Sequence, residues 1–555
     1  MFLNKINNKI ICLGVFVIFL VLSLVFTKAP LDHLGSALPK GPDPLLVSWI
    51  WSWEMHQIPI NPLAVFDTNI FAPFKNTLAF TEHMFGSLLL AWPLFLIFKN
   101  IILVFNIISL SSFAIGGLGM YLLAFYLTKN KAASFIAAFI YAFAPYKITH
   151  LEHINLSGMW LPYFFLYLHK IFKDFSWRHT LLLLFFTLMV FLNAMQYFLF
   201  LPVVIIFFIL ANIDFKSIKI TKEFVLKLFI FCSIIIIVCL SVLWPYLQLK
   251  SQGFARSVDN IEGLSPDLYD YLVSPFFYKY FYPTYLSEWI VGPGVFVLLL
   301  LFFSIIVLHH SIQRDKTKAI YLLIGFVAVL FSLGYYIQFT RGEMGGLIGP
   351  WAFFYHFVPG FSGVRCVGRY SIFFLLSSAA LISIGLRWLF VDYFKNKRKK
   401  ILFVFFSIII LLFVEFSFVP PKEYVAVPPV PKIYNWIKNT SDINVYLELP
   451  LGVGYSENNL GGFYEYYSIS HFKKMVNGYS GHSPRNYEGL IIQLCNFDIQ
   501  KEDLSAIKNY GATHIIFHFD YYPPNFKSKI INRLSEEGLA DLIYFVDNDY
   551  VYQLK

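Results

Sequence analysis

Twelve apolar runs, most of them near the length needed to cross a bilayer, follow one another from Ile10 to Val419 and leave this chain few ways to fold. Spanning the hydrocarbon core takes about 20 residues of helix, because lipid offers no partner to an unpaired backbone group. The runs are Ile10 to Phe26, Met84 to Phe98, Ile101 to Leu127, Ala132 to Tyr146, Leu156 to Phe172, Leu181 to Phe191, Tyr197 to Ala211, Phe224 to Leu247, Ile290 to Leu308, Ala319 to Tyr336, Tyr370 to Phe390 and Ile401 to Val419. With 58% hydrophobic and only 14% charged residues, a soluble fold could not bury the apolar surface. The chain therefore reads as a polytopic α-helical membrane protein.

A net charge of +10 raises the question of nucleic acid. The lysines and arginines, however, cluster between apolar runs, where topology accounts for them, so no nucleic-acid partner is expected. The five cysteines show no metal spacing and no disulfide framework. Lys5 and Lys9 precede the first run, which is long for a signal-peptide core and lacks a clear cleavage site, so an uncleaved first helix is expected.

Charge also decides which runs cross. Met84 to Phe98 is short and contains Pro93. If it crossed, Lys129 with Lys131, Lys170 to Arg178, Lys216 to Lys227, Arg314 to Lys318 and the KNKRKK run at Lys395 to Lys400 would all lie outside. The positive-inside rule prefers them inside. The segment is thus read as re-entrant or interfacial, leaving about eleven transmembrane helices. The expected location is the cytoplasmic (inner) membrane, with the N-terminus cytoplasmic and the acidic loops outside, among them Gln248 to Trp289 and Ile337 to Arg369.

The expected domains are a transmembrane domain over 1–419 with a large first outer loop (28–98), a Pro-rich linker over 420–435, and a small extracytoplasmic α/β domain over 436–555. The linker PPKEYVAVPPVP should be extended. Beyond it, INVYLELP, THIIFHF and YVYQL read as strands, and KEDLSAIKNYGA and KSKIINRLSEEGL as helices, the former ended by Gly511.

The residues that could carry chemistry fall on the outer side. Asp43, in GPDP, caps the following helix or serves a site, since a carboxylate near membrane depth needs a partner or a task. Glu82 with His83, and His150 with Glu152 and His153, join carboxylate to imidazole. That pairing suits acid/base work, a divalent cation or a diphosphate's metal, or a wet interfacial cap, and no spacing here identifies a metal. Arg365 and Arg369, four apart in PGFSGVRCVGRYS, would share a helix face if the helix begins early. They could grip a lipid-linked phosphate or snorkel to headgroups. Trp49, Trp51 and Trp53 read as interface anchors ahead of a sugar platform. The Gly-rich loop Tyr466 to Tyr487, with Tyr479 and His482, mixes aromatic and amide groups in a way that suits carbohydrate or a packed turn.

Taken together, GPDPLLVSWIWSW, NIFAPFKNTLAFTEH, FAPYKITHLEH, PGFSGVRCVGRY and NGYSGHSP resemble the GT-C superfamily of integral-membrane glycosyltransferases, and more narrowly the YfhO-like bacterial membrane proteins. The resemblance implies an enzyme that uses a polyprenyl-phosphate sugar donor and a glycan or lipid acceptor in contact with membrane lipids. By it, Asp43 would be the base or metal-organising residue in the first outer loop. Glu82 and Glu152, or their histidines, would form the second acidic cluster. The DxD or ExD pair of metal-using members is missing, so no cofactor follows beyond a divalent cation as one option. A non-catalytic transporter, or a glycolipid-binding or assembly protein, is the competing reading. It would call for polar residues at mid-membrane, which are few here apart from Asn106, Asn193 and Gln196.

Overall fold

The computed structural model describes residues 8–151, 158–212, 222–253, 255–273, 276–277, 287–310, 316–339, 346–451, 460–494, 497, 499–536 and 538–555. Each apolar run coincides with a helix. Seven helical stretches are long and apolar enough to cross a membrane: Lys9–Thr27, Ile101–Thr128, Lys131–Thr149, Met195–Asn212, Lys222–Ser251, Val367–Tyr393 and Arg398–Ser417. The other five runs form helices of 13 to 17 residues, namely Phe85–Phe98, Leu161–Lys173, Trp177–Asn193, Val295–His310 and Lys316–Ser332. Among the described residues the twelve runs are thus taken up by seven helical stretches of spanning length and five shorter helices, and extended residues or prolines bound some of the shorter ones. Trp177–Asn193 stops at the extended Ala194, for example, and Leu161–Lys173 starts on Pro162. Phe85–Phe98 has 14 residues and keeps Pro93 inside it, a length that suits a segment which does not span.

Nine strands complete the secondary structure of the described residues: β1 (Ala37–Pro39), β2 (Tyr336–Ile337), β3 (Leu347–Ile348), β4 (Tyr424–Ala426), β5 (Val445–Leu449), β6 (Lys474–Met475), β7 (His514–His518), β8 (Ala540–Val546) and β9 (Asp549–Leu554). The chain divides into two compact units. The first comprises Met1–Pro30, Ile107–Val242 and Gln252–Glu423, and the second Leu31–Asn106, Leu243–Ser251 and Tyr424–Lys555.

The first unit is a helical bundle centred on Ser371–Arg387, which is buried on nearly every side. Its Ser377, Ser378, Ala379, Ala380, Ser383 and Gly385 are small, which lets neighbouring backbones come close without help from a hydrophobic effect that lipid does not supply. A side chain at Gly385 would collide with Ser304. Elsewhere the spans bare their apolar faces. Leu226, Phe229, Ile236, Ile237, Leu240 and Trp244 of Lys222–Ser251 are all exposed, as lipid contact requires.

The second unit holds a five-stranded sheet in the order β6-β5-β7-β9-β8. β5 pairs in parallel with β6 and β7, while β9 runs antiparallel to β7 and β8. The strands and helices expected from INVYLELP, KEDLSAIKNYGA, THIIFHF, KSKIINRLSEEGL and YVYQL are present. Gly511 takes the left-handed φ of +82° that ends Lys501–Asn509. The Pro-rich stretch is extended, as its composition demands, but Tyr424–Ala426 is also a strand paired antiparallel with β1.

Helix Asp43–Ile60 is the core of this unit. Trp49, Trp51 and Trp53 are at most 5% exposed. Their indole N–H groups donate to Asn69 Oδ1, Ser87 Oγ and the Val65 carbonyl at 3.2, 3.1 and 2.8 Å. They are core residues and not interface anchors, since a belt tryptophan keeps its N–H wet and these satisfy theirs inside the protein.

Candidate functional site

In the second unit, Gly41 (φ +137°) turns the chain into Asp43–Ile60, and Asp43 with Pro44 occupies the first turn. A carboxylate there is favoured by the helix dipole. The structure gives Asp43 a side-chain partner far along the chain: the Tyr479 hydroxyl donates to Asp43 Oδ1 at 3.1 Å. These two were singled out separately in the sequence, and the fold joins them. His482 lies half-buried three residues on, in the same loop.

That loop is firmly held. Glu465 Oε2 accepts from the Tyr479 backbone N–H at 2.8 Å. The Asn477 side chain accepts from the Glu448 N–H and donates to the Glu448 carbonyl, at 2.7 and 2.8 Å, which ties the loop to β5. Phe71 lies so close to Gly478 that a Cβ there would come within 2.7 Å of its ring. The Phe71 N–H also donates to the Asn477 carbonyl at 3.0 Å.

His83 is buried beside Tyr246. Because the Tyr246 hydroxyl donates to the Thr81 carbonyl at 2.8 Å, the His83 Nδ1–H is the donor in the 3.2 Å contact between the two side chains. Burial pushes His83 down to about 3, so the ring is neutral. Glu82 is half-buried.

Glu54 and Glu465 escaped the sequence reading. Glu54 is fully buried, and neither of its carboxyl oxygens has a hydrogen-bond partner among the described residues. Burial raises it well above the usual carboxylate range. Burial also raises Glu465, against the lowering effect of the Tyr479 N–H. The available signal was a carboxylate inside an aromatic stripe, WSWEM and GFYEYY, where a charge has little access to water.

A third group spans the sheet. His518 Nδ1 lies 2.7 Å from Asp549 Oδ1, and its Nε2 lies 2.8 Å from Glu448 Oε2. The Tyr434 hydroxyl donates to the same Glu448 oxygen. Burial alone would lower His518, but the two carboxylates outweigh it and push the ring up to about 9.

In the first unit, Pro145 stops Lys131–Phe143 by forcing Ala144 out of the helical region, and a short turn, Pro145–Thr149, then presents His150. His150 Nδ1 donates to the Tyr146 carbonyl at 2.8 Å. Its Nε2 lies 3.5 Å from Glu288 Oε2 and carries a proton towards it only when the ring is charged. Arg369 Nη2 and Nε donate to Glu288 Oε1 and Oε2 at 2.8 and 3.4 Å. Burial acts to raise Glu288, yet Arg369 and His150 hold it well below the usual carboxylate range. The sequence marked His150 and Arg369 as site candidates and placed Glu288, the residue that links them, only among the acidic residues of the outer face. Arg365 and Arg369 do not share a helix face: the regular helix begins at Ser371, and only a 3₁₀ turn, Val367–Tyr370, precedes it. Glu152 and His153 lie outside the described residues. Among the described residues, no three His, Cys, Asp or Glu side chains converge as metal ligands.

No protein-family model and no curated relative matches the chain. Solved structures do. The arabinofuranosyltransferase AftD from Mycobacteria matches at 12% identity and a TM-score of 0.58, over 99% of this chain and 40% of AftD. A mutant of that enzyme gives 11% identity and a TM-score of 0.60, over 99% and 42%. The Archaeoglobus fulgidus oligosaccharyltransferase in its apo form matches at 12% identity and 0.54, over 98% of this chain and 74% of that one. The chain thus spans about two fifths of the length of AftD. It shares the fold of these structures, and it is a membrane protein with a small C-terminal sheet.

Proposed function

We propose that this protein is a membrane glycosyltransferase that moves a sugar from a polyprenyl-phosphate donor to an extracytoplasmic lipid-linked glycan or cell-envelope acceptor. The observation that supports it most is the Asp43 carboxylate, half-buried at a helix start and held by Tyr479, within a fold that two kinds of glycosyltransferase share. In this reading Asp43 takes the proton of the acceptor hydroxyl as its oxygen attacks the anomeric carbon. The bond from that carbon to the phosphate oxygen breaks, and the electron pair leaves with the polyprenyl phosphate. The first unit carries arginines suited to a departing phosphate, Arg365 and Arg369, the latter oriented by Glu288. Glu82 with His83, and Glu152, supply the second acidic cluster. The protein sits in the inner membrane with its N-terminus cytoplasmic, and the YfhO-like group is its closer kin.

The test is transfer from synthetic polyprenyl-phosphate sugars by purified protein in lipid nanodiscs, together with profiling of lipid-linked sugars in a deletion strain. Asp43→Asn should abolish transfer, a loss of more than about 100-fold, while thermal unfolding stays unchanged. Full activity in that variant would overturn the assignment. Arg365→Ala should weaken donor binding about tenfold at unchanged acceptor affinity.

A further inference from the structure

The C-terminal sheet does more in the second unit than cap the first outer loop. We propose that it is part of the catalytic device: through Asn477 and Glu465 it sets Tyr479 in place, and Tyr479 then fixes the orientation of the Asp43 carboxylate. The proposal rests on Asp43 being the base. The device has three links, from the Asn477 amide bridging both backbone groups of Glu448 on β5, through the Glu465 carboxylate on the Tyr479 N–H, to the Tyr479 hydroxyl on Asp43 Oδ1. Each does a different job.

A carboxylate at a helix start samples several rotamers, and only some of them point a lone pair at an incoming hydroxyl. The hydrogen bond from Tyr479 to Oδ1 narrows that choice. The phenol suits that task, because its hydroxyl sits at the end of a rigid ring with only two side-chain torsions to restrain. The clamp of Phe71 on Gly478, where any Cβ would collide with the ring, keeps the backbone before Tyr479 from drifting. Glu465 is fully buried in helix Leu460–Ser468, which packs on Asp43–Ile60, and its Gly462 lies against Pro42 and Leu45. The residue that holds Tyr479 and the residue that Tyr479 holds therefore stand on two helices packed together. Tyr479 is a positioning residue.

Tyr479→Phe removes one oxygen and keeps the ring, so folding is preserved. It should lower kcat about tenfold with KM for the donor little changed, the size expected for one hydrogen bond to a charged group. The loss should fall on kcat alone and leave the unfolding temperature at the parent's value. A merely structural role would lower the unfolding temperature too. Glu465→Ala should lower kcat in the same direction. The double variant should be no slower than the slower single one, since both changes break one chain of contacts. If Asp43→Asn abolishes transfer while Tyr479→Phe matches the parent in kcat, the positioning role is overturned and the base assignment survives. Additive losses in the double variant would overturn the link through Glu465. If the parent protein transfers no sugar, the functional reading itself fails.

Discussion

A carboxylate of the first unit and two of the second handle burial in opposite ways. In the first, Glu288 is gripped by the Arg369 fork at 2.8 Å, so a carboxylate largely out of water is matched by a full counter-charge. In the second, Glu54 has no partner for either oxygen among the described residues, and Glu465 has one only for Oε2. A matched carboxylate is fixed as an anion and is best used to aim its partners. An unmatched one is costly, and a chain keeps it only where packing or chemistry demands it. The contrast sets Glu288 apart as a fixed counter-charge from Glu54 and Glu465, whose burial favours the protonated form.

The largest effect should come from breaking the matched pair. Arg369→Ala leaves Glu288 buried without its main counter-charge and should cost about 3 to 5 kcal/mol, read as a drop in thermal unfolding temperature. Pairing it with Glu288→Gln should recover much of that loss. Failure of this rescue would mean that the ion pair is not what Arg369 contributes.

An opposite and smaller effect is expected at the unmatched carboxyl. Glu54→Met, which replaces an unpartnered acid with an apolar side chain, should stabilise by about 1 to 3 kcal/mol near neutral pH. Because burial raises Glu54, its ionisation in the unfolded chain weakens the fold as pH climbs above the usual carboxylate value of about 4.3. The gain should therefore shrink towards pH 4. A gain independent of pH would show that shape, not charge, is the liability.

The smallest effects concern histidines of the second unit. His83 and His471 are both pushed down to about 3, by burial first. Each refuses a proton that the unfolded chain accepts, so stability is lost as pH falls below about 6.5 towards 3. His518, raised to about 9, contributes stability that is complete below about 6.5 and lost as pH rises through 9. These histidines alone would place the maximum of this unit's unfolding temperature near pH 6.5, and the raised Glu54 and Glu465 draw it to lower pH. His83→Gln should flatten the acid side alone, and His518→Gln the alkaline side alone.

Much of this was legible in the chain. Hydropathy located the helices because the period and length of an apolar run are local properties. Charge and a proline marked Phe85–Phe98 as too short to span, and the strands of the C-terminal sheet followed from short β-branched runs between turns. Asp43, Tyr479, His150 and Arg369 stood out as polar groups in apolar company. What stayed hidden was pairing across distance. Nothing local links Tyr479 to Asp43, or Arg369 to Glu288, because a hydrogen-bond partner is chosen by the fold and not by neighbouring residues. The tryptophans were misjudged for the same reason: a stripe of indoles reads alike whether its N–H groups meet water or, as here, Asn69, Ser87 and Val65.

The tie between the opening loop and the C-terminal segment also governs how the molecule is made. Asn69 Nδ2 donates to Ser468 Oγ, a residue 399 positions later. At ribosomal speeds of about 5 to 20 residues per second, the tryptophan helix waits roughly 20 to 80 s for the chain that will cover it. During that interval its apolar side is open to the translocation machinery and to lipid, so the earliest-made part of the second unit is among the last to mature. Nascent chains arrested before Tyr424 should leave Trp53 accessible to quenchers, since its Phe472 neighbour is still to be synthesised.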